Sequence, residues 1–244
     1  MHGLIRVLSL YFILGCLPDR GAAAQDAPAN PPPSADLHYQ IDARYKGIPI
    51  RGDALIRWRS GPEEYSMRNQ TRAMLLGRIL EENSSGGIDR NGLAPLRFSQ
   101  KRMRKSTATV SIDRQAKRID FGQDGPPQPL RGGEQDRASA IWQLISMARA
   151  RSESFKPGAS WTFSVIGPRS VDTWTFQLIA QQTMKTAFGE IATVHIRKAP
   201  PEKARDQQID IWLAPTLEWF PVRLHYAEED GDTIEQTLIR ISRK

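Results

Sequence analysis

Apolar residues return at every second position along much of this chain, and Gly or Pro clusters break the pattern at short intervals. In Tyr39-Gln-Ile-Asp-Ala-Arg-Tyr45 the odd positions are apolar or aromatic and the even ones mostly polar, which predicts a half-buried β-strand. The segment from Thr107 to Asp113 alternates in the same way. Trp161, Phe163 and Val165 share one face of another strand, as do Trp174, Phe176 and Leu178. Lys46-Gly47, Ser60-Gly-Pro62, Asn91-Gly92, Gly167-Pro168 and Asp230-Gly231 supply turns between the runs. Such short connections favour antiparallel pairing, because parallel strands need long crossovers.

One segment changes period. Asp136 is placed to cap a helix in which Ala138, Ile141, Trp142, Ile145 and Ala148 fall at helical spacing. Arg149 and Arg151 follow near its C-terminal end, where the helix dipole favours cations, and Pro157-Gly158 closes the segment. The expected fold is therefore mainly β. It is a single antiparallel, strongly curved sheet or open β-barrel of about eleven strands, with one amphipathic helix packed on or in it, since long flat sheets curl.

The N-terminus reads as an address. Val7 to Leu17 is an apolar run too short to span a bilayer, Pro18 breaks it, and Ala22 and Ala24 form an A-x-A cleavage site. Residues 1–24 are thus expected to be a signal peptide, 25–36 a Pro-rich tether, and 37–244 a single β-rich domain. The segment Ile13-Leu-Gly-Cys16 offers an alternative, in which Cys16 is lipidated and the protein anchored in the envelope. Cys16 is the one Cys of the chain, so cleavage after Ala24 would remove any thiol, disulfide or Cys-bound metal. No later apolar run is long enough for a transmembrane helix. The formal net charge is +7. Outside the cytoplasm that excess points to anionic envelope surfaces rather than to nucleic acid.

The most distinctive stretch is Asp210-Ile-Trp-Leu-Ala-Pro-Thr-Leu-Glu-Trp-Phe-Pro-Val-Arg-Leu-His-Tyr226, read as a strand, a Pro-containing turn and a return strand with Trp212 out of phase. Together with the first strand and the Asp136-Arg-Ala-Ser139 helix start, it resembles DUF3108, a family of unknown function found in exported proteins of Gram-negative bacteria. The resemblance spans about residues 37 to 242 and implies no established activity. The hairpin is also similar in shape to one in periplasmic lipoprotein carriers, whose open β-barrels hold acyl chains under a helical lid; shape alone does not fix function.

Residue chemistry points away from catalysis. There is no G-x-S-x-G, H-E-x-x-H, phosphate loop or dinucleotide fingerprint, and no cofactor is expected. Glu63-Glu64 and Glu228-Glu229 are expected to flank turns, their members on opposite faces. His195, Asp210 and His225 occupy the polar phase of three late strands. Pairing 195 with 210 and 210 with 225 would line them up, and a flat row of solvated side chains is the expectation, not a metal site. Arg97, Lys101, Arg102, Arg104 and Lys105 place cations on both faces of one strand. They fit either an anionic surface or a solubilising edge. The apolar run from Ala73 to Leu80 has no clean period and is expected to be buried, with a greasy loop at a cavity rim as the alternative.

The expected function is that of an exported, periplasmic or secreted envelope protein, non-catalytic, which binds an apolar or amphiphilic molecule in its curved sheet. Trp142, Ile141, Ile145 and Leu76 are the candidate rim of the cavity. A scaffolding factor without a cavity is the alternative, and a hydrolase without a recognisable motif comes third.

Overall fold

The computed structural model describes residues 30–198 and 207–244. The leader, with Cys16, Ala22 and Ala24, lies outside the described residues, as does most of the loop before the late hairpin. Among the described residues nine strands precede a single α-helix: β1 (Ala35–Tyr45), β2 (Ile48–Ser60), β3 (Glu64–Ala73), β4 (Gly77–Asp89), β5 (Gly92–Arg102), β6 (Thr107–Asp113), β7 (Arg118–Asp120), β8 (Gln128–Pro129) and β9 (Gln135–Asp136). Helix α1 (Ala140–Ala150) follows, then β10 (Ser160–Ile166), β11 (Val171–Thr186), β12 (Gly189–Lys198), β13 (Gln208–Ala214), β14 (Phe220–Ala227) and β15 (Thr233–Arg243).

All fifteen strands form one sheet, in the order β8-β7-β6-β5-β4-β3-β2-β1-β15-β14-β13-β12-β11-β10-β9. The expectation of about eleven strands was low, and the sheet is mixed rather than purely antiparallel, because β9 runs parallel to β10. The undercount has a physical reason. β7, β8 and β9 are too short to show a period, and β4 reads Gly77-Arg-Ile-Leu-Glu-Glu-Asn-Ser-Ser-Gly-Gly-Ile-Asp89, with polar residues on both faces.

The sheet curls until its edge strand β9 lies against β5. The Gln135 side-chain amide donates to the Leu93 carbonyl at 2.7 Å, and the Leu93 amide donates to Gln143 of α1 at 2.8 Å. Gly92 permits that approach: its φ is +114°, and a Cβ there would stand 2.2 Å from the Gln143 amide oxygen. The helix is consequently wrapped by sheet, with Ala140, Trp142, Leu144, Ile145 and Ala148 all buried. Trp142 stacks on Trp58 with centroids 4.2 Å apart and planes 4° from parallel. Tyr65 continues the stack beyond Trp58, and Phe220 meets Trp142 edge-on. Such contacts add about 0.5–1.5 kcal/mol each beyond burial.

Two details differ from expectation. Asp136 does not cap the helix directly; it belongs to β9, and its carboxylate accepts the backbone amides of Ala138 and Ser139, so that Ser139 stands at the N-cap. The end of the segment expected as a Pro-rich tether belongs to the fold: the Pro32 carbonyl accepts the Trp58 indole N–H at 2.9 Å, and β1 begins at Ala35 rather than 37.

Candidate ligand-binding interior and its mouth

The strand registers define two ends of the molecule. The β1–β2, β3–β4, β5–β6 and β14–β15 turns lie at one end, called here the hairpin end. The start of β1, the end of β15 and the C-terminal end of α1 lie at the other. There Arg149 pairs with Glu218 and its Nε donates to the Asn30 carbonyl. The helix and the aromatic stack fill this second half.

Toward the hairpin end the inner face of β3, β4 and β5 is polar. Gln100 donates to the Glu82 carboxylate at 2.8 Å, and Asn69 donates to its other oxygen at 3.4 Å. Asn69 Oδ1 and Thr71 Oγ1 are buried without a hydrogen-bond partner among the described residues. Gln236 of β15 is also buried. Burial, and after it the negative charge of Glu82, push the Tyr226 phenol up. The concave face therefore carries a polar wall. Sequence reasoning missed Glu82, Asn69, Thr71 and Gln100; the available signal was a strand-length stretch between the turns at Gly77 and Asn91-Gly92, visible by spacing rather than by alternation.

Between the two halves sits a buried acid. Asp136 is fully buried, accepts the Ser84 hydroxyl at 2.5 Å, and Ser84 in turn shares a 2.9 Å hydrogen bond with the Tyr65 phenol. Burial pushes the Asp136 carboxyl up to about 7; the hydrogen bonds from Ser84, Ser139 and Ala138 oppose the rise, and Glu82 adds to it.

The polar wall ends at a mouth cavity of about 350 Å³ at the hairpin end, where the two margins of the sheet meet. Gln100, Arg102 and Lys105 line it from β5 and the following turn, and Arg137 and Arg169 line it from the β9–α1 junction and the β10–β11 turn. The sequence cluster Arg97, Lys101, Arg102, Arg104 and Lys105 is thus divided. Arg102 and Lys105 face this cavity, whereas Arg97 lines an outer groove of about 570 Å³ with Arg59, Glu64, Ser66 and Ser85.

The Ala73–Leu80 run is not buried as expected. Met74, Leu75 and Leu76 form the tip of the β3–β4 hairpin, and Leu75 is fully exposed. With Tyr45, Ile48 and Met103 they make six of the ten exposed large hydrophobic residues among those described, gathered on three neighbouring turns. The structure does not bring Leu76 to the other candidate rim residues. Trp142 and Ile145 are buried and Ile141 half-buried, and the Trp58 on which Trp142 stacks lies at the far end of β2 from the Gly52–Ala73 pairing beside Leu76. Neither of these two cavities is lined by Trp142, Ile141, Ile145 or Leu76.

The His row is corrected in register and in burial. Asp210 pairs with His225 as expected, but His195 pairs with Trp212 and reaches Asp210 diagonally at 2.6 Å. His195 and Asp210 are buried, not solvated, because Trp212 stacks on the imidazole and Arg197 and Gln208 cover the carboxylate. Burial would raise the Asp210 carboxyl, but hydrogen bonds from Arg197, His195 and Gln208 outweigh it and hold it below its ordinary value. Among the described residues no group of three or more His, Cys, Asp or Glu side chains is arranged to hold a metal.

Comparison with known families decides the affiliation. The model of the family described as "Protein of unknown function (DUF3108)" matches residues 38–239. The chain belongs to the DUF3108 family. Among solved structures it is similar to a β-barrel-like protein of domain of unknown function DUF1849 from Brucella abortus, with a TM-score of 0.61 at 12% identity, covering 88% of this chain and 99% of that one. That likeness is one of fold. Two further similarities have lower TM-scores. A putative exported protein with a YmcC-like fold from Bacteroides fragilis scores 0.33 at 10% identity, with 89% and 100% of the chains covered. A putative outer membrane lipoprotein-sorting protein domain from Vibrio parahaemolyticus scores 0.31 at 6% identity, with 87% and 86% covered. A search of curated proteins finds no match. Among the described residues of this DUF3108 protein no helix is long and apolar enough to cross a membrane.

Proposed function

We propose that this DUF3108 protein is an exported, periplasmic envelope protein that binds an amphiphilic molecule, without catalysis, in the half of its sheet that α1 leaves open. The observation that carries this reading is the division of the interior. The half around α1 is packed with stacked aromatics, while the other holds polar side chains on β3, β4 and β5, two with unpartnered atoms, and leads to a cavity at the mouth. A buried polar atom without a partner costs about 1–3 kcal/mol, so a wall of this kind is favoured where water or the polar part of a ligand reaches it. The mouth cavity falls within the usual size of small-molecule sites, about 300–1,000 Å³. The exposed Met74-Leu75-Leu76 tip beside it supplies an apolar approach for the hydrophobic part. Clustered apolar exposure of this kind marks an interaction surface more often than chance. Export rests on the leader pattern of residues 1–24.

Native mass spectrometry of the protein purified gently from envelopes tests the reading. A co-purifying amphiphile, displaced by added lipid and bound less well after Leu75→Ser with Leu76→Ser, is the expected result. A protein that is empty from envelopes and takes up no lipid when challenged overturns it.

A further inference from the structure

We propose that the mouth cavity is an anion site that receives the phosphate or carboxylate head of the bound molecule, an assignment that rests on the amphiphile reading. Four cations line the cavity, Arg102, Lys105, Arg137 and Arg169, against a single lining carboxylate, Asp124. They do not come from one charged stripe. Arg102 ends β5, Lys105 lies in the next turn, Arg137 joins β9 to α1, and Arg169 sits in the β10–β11 turn. Closure of the sheet thus brings cations from both of its margins to one place, where they repel one another.

Among the described residues only part of this charge is neutralised. Arg137 pairs with Asp172 at 3.3 Å, and Arg169 with Asp124 at 3.7 Å. Arg102 donates its Nε to the neutral Gln100 amide at 3.1 Å. Among the described residues neither Arg102 nor Lys105 has a carboxylate within ion-pair distance. An anion in the cavity relieves that repulsion. Guanidinium groups suit it because their planar fork of donors matches the oxygens of phosphate and carboxylate. The volume of about 350 Å³ exceeds what a lone phosphate fills and accommodates a headgroup with adjoining atoms. Gln100 joins the cavity to Glu82 and the polar wall, so a head bound at the mouth leads its chain either along that wall or along the apolar hairpin tips.

The site is tested on the full processed chain by calorimetric titration with three probes: inorganic phosphate, short-chain phosphatidylglycerol and short-chain phosphatidylcholine. The anionic lipid is expected to bind roughly tenfold or more tightly than the choline lipid. The double substitution Arg102→Gln with Lys105→Gln is expected to remove that preference. Both side chains are exposed, so the fold should survive, and an unchanged melting temperature checks that it does. Equal binding of the two lipids, or a preference that persists in the double variant, overturns the anion site while leaving the amphiphile reading in place. Phosphate bound as tightly as the anionic lipid, with the same dependence on Arg102 and Lys105, supports the anion site and overturns the amphiphile reading. No binding of any probe overturns both.

Discussion

The two halves of the sheet interior differ in what holds them. In the half around α1, Trp58, Trp142 and Phe220 are buried in ring-on-ring contact, and Ile145 and Leu144 are completely enclosed. In the half toward the hairpin end, the corresponding inward positions of β3, β4 and β5 carry Asn69, Thr71, Glu82 and Gln100. The first half does the work of folding, because close-packed apolar surface is the main stabilising term. The second half gives up part of that term, since polar side chains facing inward must find partners. The contrast assigns stability to the helix-filled half and recognition to the other, and substitutions in each half should respond with opposite sign.

The largest effect is expected at Trp142. Its flush stacking on Trp58 and near-complete burial make it a plug of the filled half. Trp142→Ala should lower stability by about 3–5 kcal/mol and leave a void, measured by urea or thermal unfolding. A loss below about 1 kcal/mol, accompanied by weaker lipid binding, would mean that Trp142 borders an open cavity instead, and the division between the halves would fail.

Asp136, at the boundary, gives a smaller effect with a definite pH signature. Its carboxyl is raised from 3.8 to about 7 in the folded protein. The folded state therefore holds a proton that the unfolded chain releases, so the contribution of this group to stability is greatest at low pH. It declines as pH rises from about 4 through about 7. Asp136→Asn keeps an acceptor for the Ala138 and Ser139 amides and cannot titrate. Between pH 5 and pH 7.5 the wild type should lose on the order of 2 kcal/mol relative to this variant. Parallel stability curves for the two proteins would show that the carboxyl is not in the environment described.

How far these regions could be read from the sequence follows the same division. The strands with an aromatic phase were legible: Tyr39, Trp161, Phe163, Trp174 and Phe176 announced their strands by alternation, and the Ile141, Trp142, Ile145 spacing announced α1. The polar half was not, because Glu82 and Ser84 face inward on a strand with no apolar phase, so period-two reasoning has nothing to detect. The late hairpin lies between these cases. A register slip of two residues kept His195 and Asp210 on one face, which is why they meet although the expected pairing was wrong. Their burial depends on Trp212 pointing outward onto the imidazole, beside a bulge between Trp212 and Leu213. Alternation does not report bulges, although the out-of-phase Trp212 already placed its ring on the outer face with His195.

The smallest effect tests the sign of the comparison directly. Thr71 is 5% exposed and its hydroxyl has no partner among the described residues. Valine has nearly the same shape, so Thr71→Val removes the unsatisfied oxygen without opening a void. In the filled half any loss of a packed group should destabilise; here the substitution should stabilise the ligand-free protein by about 1 kcal/mol, read as a higher urea midpoint at unchanged slope. The same variant should bind the amphiphile no more tightly than wild type, because the added apolar surface faces the polar part of the site. If Thr71→Val instead lowers stability by 1 kcal/mol or more, the hydroxyl makes a hydrogen bond that matters to the resting protein. The polar wall would then be a structural network in its own right, satisfied without a ligand, and its claim to be the recognition surface would pass to the cationic mouth alone.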